Sequence, residues 1–139
     1  MKTLFKIFMA LHVGLYKLSG GRLGGNMRGF QVLLLNTVGR KSGKAFTIPL
    51  GWFAHPEGYV IVASNAGQDH HPAWYHNLKS NPGASIQVGE RVIAVTAEVL
   101  AGEARSQVWR AITSTASAYA GYEKATTREI PLVLLRPVK

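Results

Sequence analysis

Apolar residues recur at helical spacing along the first 18 positions. Leu4, Phe8, Leu11, Leu15 and Leu18 follow i, i+4, i+7, i+11 and i+14, while Lys2, Lys6 and Lys17 fall together on another face. The pattern predicts an amphipathic helix over 1–18. It either covers one end of its own domain or lies on an anionic membrane with its lysines near the headgroups. Lys6, His12 and Lys17 interrupt the run too often for a transmembrane span of about 20 apolar residues, and no small-x-small cleavage pattern follows it. Gly20-Gly21-Arg22-Leu23-Gly24-Gly25 then makes continuation of the helix costly.

Beyond residue 27 the pattern turns to strands. Residues 31–36 are a short apolar run, 46–54 a second run broken by Pro49, and 59–63 a β-branched and aromatic run; together they predict three consecutive antiparallel strands. Residues 72–80 predict a helix of two to three turns, with Pro72 near its start and Asn81-Pro82 ending it. Residues 84–88 and 91–100 flank Gly89-Glu90, a Gly-X pair suited to a two-residue hairpin turn. Residues 103–117 have helix-forming composition with Val108 and Ile112 at helical spacing, and an aromatic, polar loop then leads into a buried strand at 131–135. The expected architecture is α+β and mainly β: about six antiparallel strands with two or three helices, closing as a small barrel over 27–139.

Composition narrows the class. A chain of 139 residues is expected to form a single domain, 1–139, that buries about two-thirds of its unfolded surface. Cysteine is absent, which excludes disulfide scaffolds, cysteine zinc sites and thiol nucleophiles. The net charge is +9, and it is unevenly placed: residues 1–56 hold eight cations and no acid, whereas the remainder balances eight cations against seven acids. The N-terminal part should therefore attract an anion, whether nucleic acid, lipid headgroups or a polyanionic small molecule.

Three segments carry candidate chemistry. In Thr37-Val38-Gly39-Arg40-Lys41-Ser42-Gly43-Lys44, glycines free backbone N–H groups to face an oxyanion, and the cations add charge-assisted hydrogen bonds to phosphate or carboxylate. It is not a P-loop, because its glycines are separated by three residues and a strand follows. Ala63-Ser64-Asn65-Ala66-Gly67 leaves a strand with small residues that let a flat ring approach the backbone; Trp74 and Leu78 share a helical face that is either core or the side of a site. Tyr119 and Tyr122 either present phenols to one cavity or pack a lid.

Other chemistries are poorly served. His70, His71 and His76 lie close in sequence, but the adjacent pair cannot easily converge and only Asp69 is a nearby carboxylate, so no metal site is expected. Ser42 and Ser64 lack a G-x-S-x-G setting, and no strand-to-helix G-x-G-x-x-G is present. A nucleic-acid-binding barrel would interleave aromatics with cations; Phe30, Phe46, Trp52 and Phe53 do not, so no nucleic-acid partner is expected.

Taken in order from His12 to Pro137, the segments resemble the deazaflavin-dependent nitroreductase family, split β-barrels related to FMN-binding split-barrel oxidoreductases. The carriers are Leu15-Tyr16 with Gly21-Arg22-Leu23-Gly24, Leu33-Leu34-Leu35 leading to Gly39-Arg40-Lys41-Ser42-Gly43 and Pro49-Leu50, then Ala63-Ser64 and Gly67. They continue through Pro72-Ala73-Trp74-Tyr75-His76-Asn77-Leu78, Asn81-Pro82, and Thr127-Arg128 with Ile130-Pro131. The resemblance implies coenzyme F420, whose phosphate and oligoglutamate tail are strongly anionic, with FMN as the alternative cofactor.

By that resemblance, Arg40, Lys41, Ser42, Gly43 and Lys44 hold the phosphate and tail. Pro49 and Ser64, Asn65, Ala66 and Gly67 belong to the cofactor site, bordered by Trp74, Asn77 and Leu78. Tyr119, Tyr122 and Ser64 are the candidate catalytic residues, and the acceptor is a quinone, an activated alkene or a nitroaromatic. Two positions depart from the family pattern, since Phe46 and Asn65 stand where similar members often carry a base. The expected setting is the cytoplasm, with peripheral contact of residues 1–17 on the inner membrane face, and a homodimer is one oligomeric option.

Overall fold

The computed structural model describes residues 2–21, 26–27 and 30–138. Arg22, Leu23, Gly24, Gly25 and Arg28, and the side chain of Lys2, lie outside the described residues.

Helix α1, Lys2–Ser19, leads into strands β1 (Asn26–Met27), β2 (Phe30–Val38), β3 (Ala45–Gly51), β4 (Phe53–His55) and β5 (Gly58–Val62). A short 3-10 turn, Asn65–Gly67, and helix α2, Ala73–Ser80, precede the hairpin β6 (Gly83–Val88) and β7 (Arg91–Val99). Helices α3 (Gly102–Thr115) and α4 (Ser117–Ala125) then return the chain to strand β8 (Leu132–Pro137).

All pairings are antiparallel, in the order β1-β2-β6-β7-β8-β5-β4, with β3 on the other edge of β2. β3 and β4 sit at opposite ends of this order yet are joined through Trp52 alone. The sheet must curl to bring its two ends together, which makes it the expected α+β split barrel. Trp52 N–H donates to the Gln31 carbonyl at 3.0 Å and pins the join.

Both faces of the sheet are covered, and the apolar runs show how. Along β8, Val133 and Leu135 point into the inner core with Leu33, Leu35, Ile61 and Ile86, whereas Leu132 and Leu134 point outward under Trp109 and Ile112 of α3. Along β2, Val32 and Leu34 alternate outward to meet Tyr16 of α1. Strands buried on both faces read as continuous apolar runs, which is what Leu33-Leu34-Leu35 and Leu132–Leu135 are.

Several expectations are corrected. The described residues hold eight strands and four α-helices, more than six and two or three, because the 46–54 run divides at Trp52 and the aromatic segment after Ser117 is helix α4. Pro49 does not break its strand: β3 pairs only with β2, so a missing N–H on its free edge costs no ladder bond. The three early strands are not simply consecutive neighbours either, since β5 pairs with β4 and β8. The hairpin is as expected, with Gly89 at φ +60° between Val88 and Arg91.

The largest change concerns α1. Its leucine stripe faces away from the barrel: Leu4 is 70% exposed, Leu11 61% and Leu18 89%. The face that packs is carried by His12 and Tyr16, with the Tyr16 hydroxyl donating to the Gln87 carbonyl at 3.1 Å and accepting from Gly89 N–H at 2.8 Å. No helix among the described residues is long and apolar enough to cross a membrane.

Candidate functional site

A cleft of ≈ 1410 Å³ lies between α1, the β2–β3 turn, the end of β5, α2 and α4. Ordinary small-molecule pockets occupy roughly 300–1,000 Å³, so this one has room for more than a single small molecule. Its floor is apolar, with Ile48 and Leu50 of β3 and Val62 of β5. Its walls carry Lys6, Lys17, Arg40 and Lys41 and no carboxylate. Among the described residues, none of these four cations forms an ion pair.

The basic turn is held in shape by its backbone. Gly39 N–H donates to the Lys44 carbonyl at 2.8 Å, Gly43 N–H donates to the Gly39 carbonyl at 3.0 Å, and Gly43 adopts φ +71°, where glycine is favoured. Behind it stands buried Asn77, whose Oδ1 accepts from Arg40 N–H at 3.1 Å and whose Nδ2 donates to Thr37 Oγ1 at 3.3 Å. Asn77 therefore both borders the cleft and fixes the turn.

The end of β5 is strained. Asn65 (φ 48°), Ala66 (φ 54°) and Gly67 (φ 79°) are left-handed in succession, a conformation two non-glycine residues adopt only under outside constraint. Arg128 supplies it. Its guanidinium donates to the carbonyls of Gln68 (2.9 Å), Ala63 (3.2 Å) and Ser64 (2.7 Å), and it lies 3.0 Å from His71 Nδ1. Helix α4 closes over the loop so tightly that a Cβ on Gly67 would stand 3.0 Å from that of Ala125. Ser64 is buried at the wall, and among the described residues its hydroxyl has no protein partner.

The structure brings Arg40, Lys41, Ser42, Ser64, Asn65, Ala66, Trp74, Asn77 and Tyr119 to the cleft wall. Gly43 and Lys44 lie off it, closing the turn. Pro49 is buried on the face of β3 opposite Ile48 and Leu50, Gly67 is covered by α4, and Leu78 joins the inner core. Tyr122 packs into the outer core, edge-on to Tyr119 with ring centroids 5.8 Å apart. Of the pair, Tyr119 lines the cleft and Tyr122 does not. Burial first, and Tyr122 second, raise the Tyr119 pKa, so this phenol stays protonated at neutral pH.

Sequence reasoning missed Arg128 as a site residue, although Thr127-Arg128 was noted as a motif. The helix pattern puts Lys6 and Lys17 either on a helix covering the domain or near lipid headgroups, and does not place them at a site, whereas both line the cleft. Their spacing of 11 places them on one face, but only tertiary packing says which way that face turns. His70, His71 and His76 also line the cleft. Among the described residues no group of His, Asp and Glu could hold a metal.

Fold and cleft together define a split barrel with an apolar-floored cleft whose walls carry four cations. The model of the F420H(2)-dependent quinone reductase family matches residues 8–137, and the chain belongs to that family. An F420H(2)-dependent quinone reductase of Mycobacterium tuberculosis is 35% identical over 131 residues, covering 91% of this chain and 88% of its own. The solved F420-H2 dependent reductase FDR-A superposes with TM-score 0.69 at 38% identity, covering 76% of this chain and 93% of that one. A second solved relative, described as a domain-swapped dimer, has TM-score 0.73 at 31% identity over 98% of this chain and 100% of that one. The HutZ heme protein of Vibrio cholerae, at 18% identity, covers 78% of this chain and 82% of that one; its TM-score of 0.60 marks a shared fold.

Proposed function

We propose that this chain binds coenzyme F420 in the cleft and uses its reduced form to reduce a quinone. The observation that carries the reading is a ring-sized, apolar-floored cleft whose wall bears four cations and no acid. The residues fit the group: Arg40, Lys41 and Ser42 offer the donor set for a phosphate, and Ser64, Asn65 and Ala66 offer small side chains against a ring edge. FMN would bring one phosphate, and four unpaired cations are more than one phosphate requires.

When bound, the reduced deazaflavin would supply a hydride from ring carbon C5 to the acceptor. The protein's work is positional. Asn77 and Arg128 hold the two binding segments in fixed geometry, so orientation is set before the acceptor arrives. Trp74 and Tyr119 narrow the cleft and displace water. Ser64 Oγ and the protonated Tyr119 hydroxyl are the donors we assign to oxyanion charge on the acceptor, and reduction to the hydroquinone is completed by a proton from Tyr119 or water.

Activated alkenes and nitroaromatics are electron-poor rings or enones of similar size, and the same cleft admits them as alternative acceptors. The test is spectrophotometric: the reduced coenzyme should be oxidised rapidly with a quinone present and slowly without one. Oxidation no faster than with heat-inactivated protein sinks the assignment.

The exposed face of α1 supports a second reading, about location. Ile7 and Phe8 are 53% and 59% exposed beside the leucine stripe, an apolar surface turned outward while the lysines turn inward. That face resting on a lipid surface would bring the cleft near membrane quinones.

A further inference from the structure

Besides the carbonyls of the ring-binding loop, Arg128 has one further acceptor. Its Nη1 directs one hydrogen to the Ala63 carbonyl at 3.2 Å and the other to His71 Nδ1 at 3.0 Å. A guanidinium donates and never accepts, so Nδ1 must present a lone pair there: His71 is neutral, with its proton on Nε2. Protonation would put an N–H where the lone pair now sits, and a second positive charge against the guanidinium.

The surroundings of this half-buried imidazole also disfavour charge. Its ring centroid lies 4.6 Å from that of Tyr75 and 5.7 Å from that of His76, both on α2, and Lys79 on the same helix adds positive charge. The positive end of the α2 dipole, at Ala73, is two residues away in the chain. Asp69, on the segment that carries His71, acts on Arg128. On the other side of the clasp, Arg128 Nη2 donates to the Ser64 carbonyl, which also accepts from Gly67 N–H at 2.9 Å. The left-handed turn at Asn65 and Ala66 is thus tied to His71 through one guanidinium.

We propose that His71 is a positioning residue: its neutral imidazole locks Arg128 against the loop at Asn65–Gly67, and its protonation releases that loop and weakens the hold on the coenzyme ring. The loop's response stands on the protein alone, while its effect on the coenzyme rests on the assignment of coenzyme F420 to the cleft. The loop is held above the His71 midpoint and released as pH falls through it.

The test sets the wild type against His71→Asn, whose side-chain oxygen can accept from Arg128 at every pH, and His71→Leu, which accepts at none. Amide hydrogen exchange of the protein without coenzyme, at about pH 5 and about pH 8, reads the loop. Protection of the Gly67 and Gln68 amides, corrected for intrinsic exchange, should fall roughly three- to thirtyfold on acidification of the wild type. It should hold at both pH values in His71→Asn and stay low at both in His71→Leu. Fluorescence titration with the oxidised coenzyme at the same two pH values reads the site. The acid-to-neutral ratio of dissociation constants should be roughly three- to thirtyfold larger in wild type than in His71→Asn, a comparison in which the coenzyme's own ionisation cancels.

An equal acid loss of protection in wild type and His71→Asn, or none in the wild type, overturns the switch. A smaller acid-to-neutral ratio in wild type than in His71→Asn also overturns it, and makes His71 a contact for the anion. If no protein binds the coenzyme at either pH, the coenzyme assignment fails, and the exchange data still decide whether His71 governs the loop. If His71→Leu does not fold, the wild type and His71→Asn decide it between them.

Discussion

Asn77 grips Arg40 through the backbone: its buried side-chain oxygen takes the Arg40 N–H at 3.1 Å, while its nitrogen reaches Thr37 Oγ1 at 3.3 Å. One amide on α2 thus sets the position of a turn on the sheet, and the Arg40 guanidinium remains free to meet a ligand. Asn77→Ala should leave the Thr37 hydroxyl and the Arg40 N–H without these partners. The expected cost is about 1–3 kcal/mol of stability, read as a lowered melting temperature, together with weaker coenzyme binding. A variant with the parent's melting temperature and affinity would show that the clasp does not matter.

Arg128 plays the matching part for the ring-binding loop. Its planar fork satisfies three carbonyls at once, which a lysine ammonium on a flexible stem cannot reproduce. Both Arg128→Gln and Arg128→Lys should lower kcat/KM for quinone reduction by at least tenfold, with a drop in melting temperature. Rescue of activity by lysine would reduce the role of Arg128 to its charge.

How much of this was legible beforehand follows from the kind of signal each feature leaves. Leu33-Leu34-Leu35 and the Gly89-Glu90 turn are local, and they appeared as expected. The Tyr119 helix was hidden by its composition: glycine at 121 and polar residues around it read as loop, and packing over Gly67 overrides that propensity. The α1 stripe misled for a different reason. Periodicity shows that Leu4, Leu11 and Leu18 share a face, but not that Tyr16, with a phenol able to cap Gly89, would be the face buried. Lys6 and Lys17 followed from that inversion, and Arg128 reaches Ser64 across 64 positions, a span no local pattern records.

The imidazoles near the loop should titrate low. His71 is held below the ordinary value by burial, then by Arg128, His76 and Lys79; His76 is held down by burial, then by Arg40, Lys79 and His70. The unfolded chain then binds these protons first, so stability is insensitive to these groups above about pH 6.5 and falls as pH drops below it. Titration by NMR should give both midpoints under 6.5. Midpoints at or above that value would contradict the packing of His71 against Arg128.

The outward face of α1 makes its own prediction. Leu11→Glu and Leu15→Glu alter exposed positions, so the melting temperature should hold within the scatter usual for surface changes. Adhesion to anionic vesicles in a sedimentation assay should fall sharply. Undiminished adhesion would remove the lipid role, and a shift in sedimentation coefficient without vesicles would assign the face to a second copy of the chain.

The central claim is that the acid-free cleft selects a deazaflavin with a polyanionic chain. Parallel titration with oxidised coenzyme F420 and with FMN, each at low and at physiological salt, tests it most directly. The expected result is saturable binding of coenzyme F420, tighter than FMN and weakened by salt. Tighter binding of FMN, or no saturable binding of the deazaflavin at either salt, would contradict it.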